Sequence, residues 1–135
     1  GYAPADGVTY SATTTLDGVM EKYIPGDYEF DVPARLRELY AKKDYGRYGT
    51  KDGKMSLCFL STCHTTGGNS GSPAIDAHGN LIGLNFDRVW EGTMSDIHYD
   101  PKICRNIMVD MRYVLFVIDK YAGAGYLVDE MKLVK

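Results

Sequence analysis

The segment Thr65-Thr66-Gly67-Gly68-Asn69-Ser70-Gly71-Ser72-Pro73 puts a serine in a turn with glycine on both sides. A serine nucleophile needs an exposed hydroxyl on a tight turn and backbone N–H groups aimed at a developing oxyanion. Gly68 and Gly71 allow the positive φ values such a turn demands. The N–H groups of Gly68 and Ser70 have the spacing of an oxyanion hole. A glycine-rich β-turn without chemistry is the plain alternative. A phosphate-cradling loop fits poorly, because it needs a lysine and a following helix, and neither is present.

A serine also needs a base. The histidines are His64, His78 and His98. His64 lies six positions before Ser70, on the chain entering the loop, where it is poorly placed to reach the hydroxyl from the correct side. A role in hydrogen-bonding the loop suits it better. His78 falls in a turn and His98 follows Asp96-Ile97, and both read as surface residues. A Ser-His-Asp triad is therefore not expected to be completed within these 135 residues. Cys58, Cys63 and Cys104 match neither a disulfide framework nor a zinc pattern, and are expected to be structural or inert. No metal or cofactor is expected.

What lies opposite Ser70 follows from the flanking elements. Ala74-Ile75-Asp76, the turn Ala77-His78-Gly79-Asn80 and the strand Leu81 to Phe86 read as a hairpin leaving the loop. A turn centred between His78 and Gly79 places Ser70 opposite position 87, within a residue or two. Asn85-Phe86-Asp87-Arg88 then returns beside the nucleophile. Arg88 could hold a carboxylate through a bidentate pair, and Asp87 could hold an ammonium. Strict strand alternation would point these two to opposite faces, so both contribute only if the strand bends or ends there. The plain alternative is an Asp87–Arg88 pair in a solvated loop.

Elsewhere, residues 1–30 read as loop with short strands. A helix starts at the Asp31/Pro33 signal, carries Leu36, Leu39 and Tyr40, and ends near Asp44. Lys51 to Lys54 is a turn, Met55 to Thr62 an apolar strand, and Arg105 to Asp110 another strand. Met111, Val114, Leu115, Ile118 and Ala122 keep helical spacing until Gly123 and Gly125, and Leu127 to Leu133 add a turn or two. The fold expected is mainly β with peripheral helices, as one domain over residues 1–135.

The composition, 44% hydrophobic and 24% charged, is that of an ordinary soluble globular chain. A net charge of -3 argues against general nucleic-acid binding. The longest apolar run, Val114 to Ile118, is too short for a membrane span. The opening Gly1 to Asp6 reads like a start in mid-chain, and no signal peptide is visible. Two classes of function stand: a peptidase segment supplying nucleophile and pocket, or a non-catalytic anion- or peptide-binding module built on the glycine-rich loop and Arg88.

The loop resembles the Gly-x-Ser-Gly-x-Pro nucleophile loop of chymotrypsin-like peptidases. Together with Gly83-Leu84-Asn85-Phe86-Asp87, the run Asp110 to Lys120 and Thr14 to Lys22, it resembles the bacterial dipeptidyl-peptidase 7/11 family over nearly the whole chain. The resemblance implies the C-terminal β-barrel half of a double-barrel serine exopeptidase, with the triad histidine and aspartate in another segment. It implies Ser70 as nucleophile, Asp87 as a contact of the substrate's N-terminal amine, and Arg88 as the mark of the Asp/Glu-preferring type. Asn85 and Phe86 would line the same substrate wall. It implies export to the periplasm or surface of a Gram-negative bacterium, with a signal peptide in the precursor. The partners it implies are peptide substrates and the remaining barrel and helical domain, with a homodimer as a candidate assembly.

Overall fold

The structure, a computed structural model, describes residues 2–4 and 7–134. Gly1, Ala5 and Asp6 of the opening segment lie outside the described residues, as does Lys135. The chain forms two compact units. One comprises residues 1–14 and 58–111, the other residues 15–57 and 112–135.

The first unit is built on a sheet of β1 (Thr13–Thr15), β2 (Ser56–Ser61), β3 (Pro73–Ile75), β4 (Leu81–Arg88) and β5 (Asn106–Asp110). The strand order is β1-β2-β5-β4-β3, with β5 antiparallel to both β2 and β4. The sheet is open and does not close into a barrel among the described residues. Along β5 the burial alternates, with Asn106, Met108 and Asp110 turned inward, as the two-residue period of a strand dictates. Met108 is buried at the centre of this face. The β2 strand pairs Phe59 with Met108, and its ring reaches across β5 onto Gly83, where a Cβ would stand 2.8 Å from two ring carbons. Any larger residue at 83 would displace that ring.

The hairpin forms as expected: Pro73 pairs with Leu84 and Ala74 with Gly83. Asp76 closes its turn by accepting the N–H groups of His78 (2.8 Å) and Asn80 (2.9 Å). These donors hold the Asp76 carboxyl below the usual carboxylate range, with Asn80 the largest cause. The β4 strand runs two residues further than the sequence pattern suggests, because its pairing with β5 resumes past an irregularity. Asn85 pairs with Met108, yet Asp87 pairs with Ile107, which leaves Phe86 as an extra residue in a bulge.

The second unit is helical: α1 (Leu16–Glu21), α2 (Ala34–Lys42), α3 (Met111–Phe116) continued by a π-helical turn (Val117–Tyr121), and α4 (Gly125–Asp129). Its core is Leu16, Met55, Phe116 and Val128. Tyr45 meets Phe116 edge-on with ring centroids 5.9 Å apart. The Tyr48 hydroxyl donates to Asp119 Oδ2 at 2.7 Å.

Two expectations need correction. The loop expected over residues 1–30 contains α1, whose signal is weak: Gly18 sits inside it, and Thr15 before it makes no side-chain cap hydrogen bond. Strands and helices also share the chain, so β structure does not dominate it. None of the described helices is long and apolar enough to cross a membrane.

Candidate active site

The loop between β2 and β3 is held by its own asparagine. Asn69 Oδ1 accepts the Thr66 N–H at 2.8 Å, and the Asn69 N–H returns to the Thr66 carbonyl at 3.3 Å. Gly68 and Gly71 take φ values of +93° and +86°, in the region that disfavours any side chain. These turns leave Ser70 exposed at the tip.

The distribution of the loop's N–H groups decides what it can do. Those of Asn69, Gly71 and Ser72 are engaged, by Thr66 O, Asn85 O (2.7 Å) and Asn69 O (3.0 Å). Those of Gly68 and Ser70 make no hydrogen bond within the described residues. The two donors expected of an oxyanion hole are thus both left open by the fold, as is the Gly67 N–H.

Asn85 sets their direction. Its Nδ2 donates to the Asn69 carbonyl at 3.1 Å, and its own N–H donates to Ser72 O at 2.9 Å. Asn69 C=O and Ser70 N–H belong to one planar trans peptide and point oppositely. Pinning the carbonyl therefore aims the Ser70 N–H away from the sheet. Asn85 is 6% exposed, and its Oδ1 is buried without a hydrogen-bond partner. Expected as a substrate contact, Asn85 has both backbone groups and its amide donor engaged by the nucleophile loop. Phe86, expected on the same wall, is the exposed bulge residue.

A shallow pocket of about 140 Å³ lies between residues 65–67 and 70 on one side and 85–88 on the other. Ser70, Asp87 and Arg88 all line it. Asp87 and Arg88 are the last two residues of β4, past the bulge at Phe86, so they line it where the strand ends. Asp87 Oδ1 accepts the Arg88 N–H at 2.8 Å. A larger hollow of about 210 Å³ in the helical unit, lined by Val19, Lys22 and residues 29–32, contains no nucleophile. Ser70 lines only the smaller one.

The carboxylate partner of Arg88 is Asp96, not Asp87. Arg88 Nη1 and Nη2 donate to Asp96 Oδ1 and Oδ2, both at 2.9 Å, and Nη1 also donates to Ser95 Oγ at 2.9 Å. The Arg88 guanidinium holds the Asp96 carboxyl below the usual range, and Asp96 raises the arginine in return. Asp96 and Ser95 lie on a 3₁₀ helix, Trp90–Asp96. Sequence reasoning missed both. Arg88 ends one element and Asp96 lies on another, so no single periodicity links them, and the available signal was chemical: an arginine beside a strand end wants a carboxylate.

His64 Nε2–H donates to the Ser95 carbonyl at 3.2 Å, and its ring lies 4.9 Å from that of Tyr99. It therefore supports the turn carrying Ser95 and Asp96, and the Ser70 hydroxyl makes no hydrogen bond to any described residue. His78 and His98 are exposed. Cys58 is half-buried, and burial pushes its thiol up, away from the reactive thiolate. Among the described residues, no cluster of histidine, cysteine and carboxylate side chains is arranged to hold a metal ion.

Comparison with known proteins fits this geometry. The Peptidase S46 family model matches residues 1–133. An Asp/Glu-specific dipeptidyl-peptidase of Capnocytophaga gingivalis is 86% identical over 135 residues, which is the whole of this chain and 19% of that protein. Dipeptidyl-peptidase 7 of Phocaeicola vulgatus is 54% identical over 99% of this chain and 19% of its own length. The crystal structure of Porphyromonas endodontalis DPP11 in complex with the dipeptide Arg-Asp superposes with a TM-score of 0.93 at 55% identity, covering 98% of this chain and 19% of that one. The chain thus spans about a fifth of the length of these relatives.

Proposed function

Because the chain belongs to the Peptidase S46 family, we propose that it is the nucleophile-bearing segment of a serine dipeptidyl-peptidase that releases N-terminal dipeptides ending in Asp or Glu. The observation that carries this reading is the pocket in which Ser70, Asp87 and Arg88 meet. Ser70 Oγ attacks the scissile carbonyl and forms an acyl-enzyme. The open N–H groups of Gly68 and Ser70 hold the oxyanion. Arg88 receives the acidic side chain just before the scissile bond, and Asp87 receives the substrate ammonium. Two extended residues span up to about 7 Å, so an ammonium held at that distance from the scissile bond measures a dipeptide.

In this reading the base and its aspartate come from another segment, and the open sheet forms one half of a double-barrel catalytic domain. Export to the periplasm or cell surface belongs to the same proposal, on the family resemblance. The similarity to proteins named as Asp/Glu-specific dipeptidyl-peptidases supports the acidic preference.

The test uses the full-length peptidase carrying this segment. A fluorophosphonate should label Ser70 and should fail on Ser70→Ala. Arg88→Gly should lower kcat/KM for Asp- and Glu-containing dipeptidyl substrates by about tenfold or more relative to Leu-containing ones. An equal fall on both classes would mean that Arg88 supports the fold of the pocket and does not read the substrate.

A further inference from the structure

We propose that Asp96 and Ser95 are positioning residues for Arg88, gripping one edge of its guanidinium so that the other edge forms the seat for a substrate carboxylate. This rests on the reading of Arg88 as the group that selects acidic side chains.

The argument is a count of donors. A guanidinium carries five N–H groups in a fixed plane. Nη1 gives one to Asp96 Oδ1 and one to Ser95 Oγ, and Nη2 gives one to Asp96 Oδ2. The remaining two, Nε–H and the second Nη2–H, have no partner among the described residues. They lie side by side along one edge of the plane, with the spacing that accepts a second carboxylate in bidentate fashion.

Location agrees with the count. Arg88 lines the pocket beside Ser70, whereas Ser95 and Asp96 are not among its lining residues. The clamp is itself anchored. Ser95 is 5% exposed, and its carbonyl accepts the His64 Nε2–H. An arginine without such a clamp would have to be immobilised by each incoming substrate, a cost that preorganisation removes.

The clamp makes a prediction that charge alone does not. Asp96 offsets the positive charge of Arg88. If Arg88 acted only as a point charge, removing Asp96 would strengthen its attraction for acidic substrates. If position matters, removing Asp96 weakens their turnover.

The experiment compares wild type, Asp96→Asn, Ser95→Ala and Arg88→Gly in the full-length peptidase, on dipeptidyl substrates with Asp, Glu or Leu before the scissile bond. Fluorophosphonate titration of Ser70 counts the competent sites. We expect Asp96→Asn to lose about tenfold or more in kcat/KM per labelled site on Asp and Glu substrates, mainly through KM, with Leu substrates changed by less than roughly twofold. Ser95→Ala should lose less, in the same direction. An equal fall on all three substrates, or a gain on the acidic ones, overturns the proposal. If Asp96→Asn yields no labelled sites, Ser95→Ala decides, and the absence of a selective loss there overturns it. Arg88→Gly separates the two levels. If it keeps the acidic preference, the reading of Arg88 falls and the clamp with it. If it loses the preference while Asp96→Asn and Ser95→Ala do not, the clamp alone is wrong.

Discussion

Asn85 shows how a single buried side chain can aim a catalytic donor that it never touches. Its amide grips the Asn69 carbonyl at 3.1 Å, and peptide planarity transmits that grip to the Ser70 N–H. Removing a whole oxyanion donor costs about 10²–10³ in kcat, so a mis-aimed one should cost at least about tenfold. We expect Asn85→Ala to lower kcat of the full-length peptidase by about ten- to a hundredfold while KM stays near the wild-type value, since the proposed substrate contacts of Asp87 and Arg88 are left in place. Steady-state kinetics check this split. A rise in KM with unchanged kcat would return Asn85 to the role of substrate contact. The loop's geometry was legible at the residue level because a tight turn that exposes a serine needs glycine at fixed offsets. The role of Asn85 was not, because its partner lies 16 residues away across a hairpin.

Among the elements, the β3–β4 hairpin and the bulge in β4 are what bring the site together. The hairpin register followed from its turn, because Gly79 and the Asp76 side chain close the turn locally. The bulge at Phe86 was not readable, because it arises from the pairing of β4 with β5, and β5 arrives from later in the chain. Gly83 locks the same layer: a Cβ there would stand 2.8 Å from the Phe59 ring and 2.8 Å from the Val109 carbonyl oxygen. Its φ is not in the left-handed region, so the constraint is space. Gly83→Ala should destabilise the protein by about 1–3 kcal/mol, the usual cost of overpacking. It should shift Asp87 and Arg88 as the sheet adjusts. Chemical denaturation measures the first effect. If stability is unchanged, Phe59 does not hold the position described.

For the molecule as a whole, the proposed nucleophile has no base positioned beside it among the described residues. His64 is committed to the Ser95 carbonyl, and Ser70 hydrogen-bonds to no described residue. We therefore expect this 135-residue chain, expressed alone, to hydrolyse no dipeptidyl substrate above background. Turnover abolished by His64→Ala would overturn that expectation. The exposed Ile75, Leu81, Ile82 and Phe86 on the hairpin should also favour self-association of the isolated chain, visible in sedimentation. By itself the sequence determined what is local: the nucleophile turn, the hairpin and its register, the helix from Ala34 to Lys42, and the arginine returning beside the serine. Each depends on residues only a few positions apart, where turn chemistry and periodicity act directly. The tertiary structure alone decided the strand order, the open sheet, the bulge at Phe86, and the pairing of Arg88 with Asp96. Those depend on which distant segments meet, and meeting is governed by burial and by the pairing of groups whose separation along the chain leaves no periodic trace.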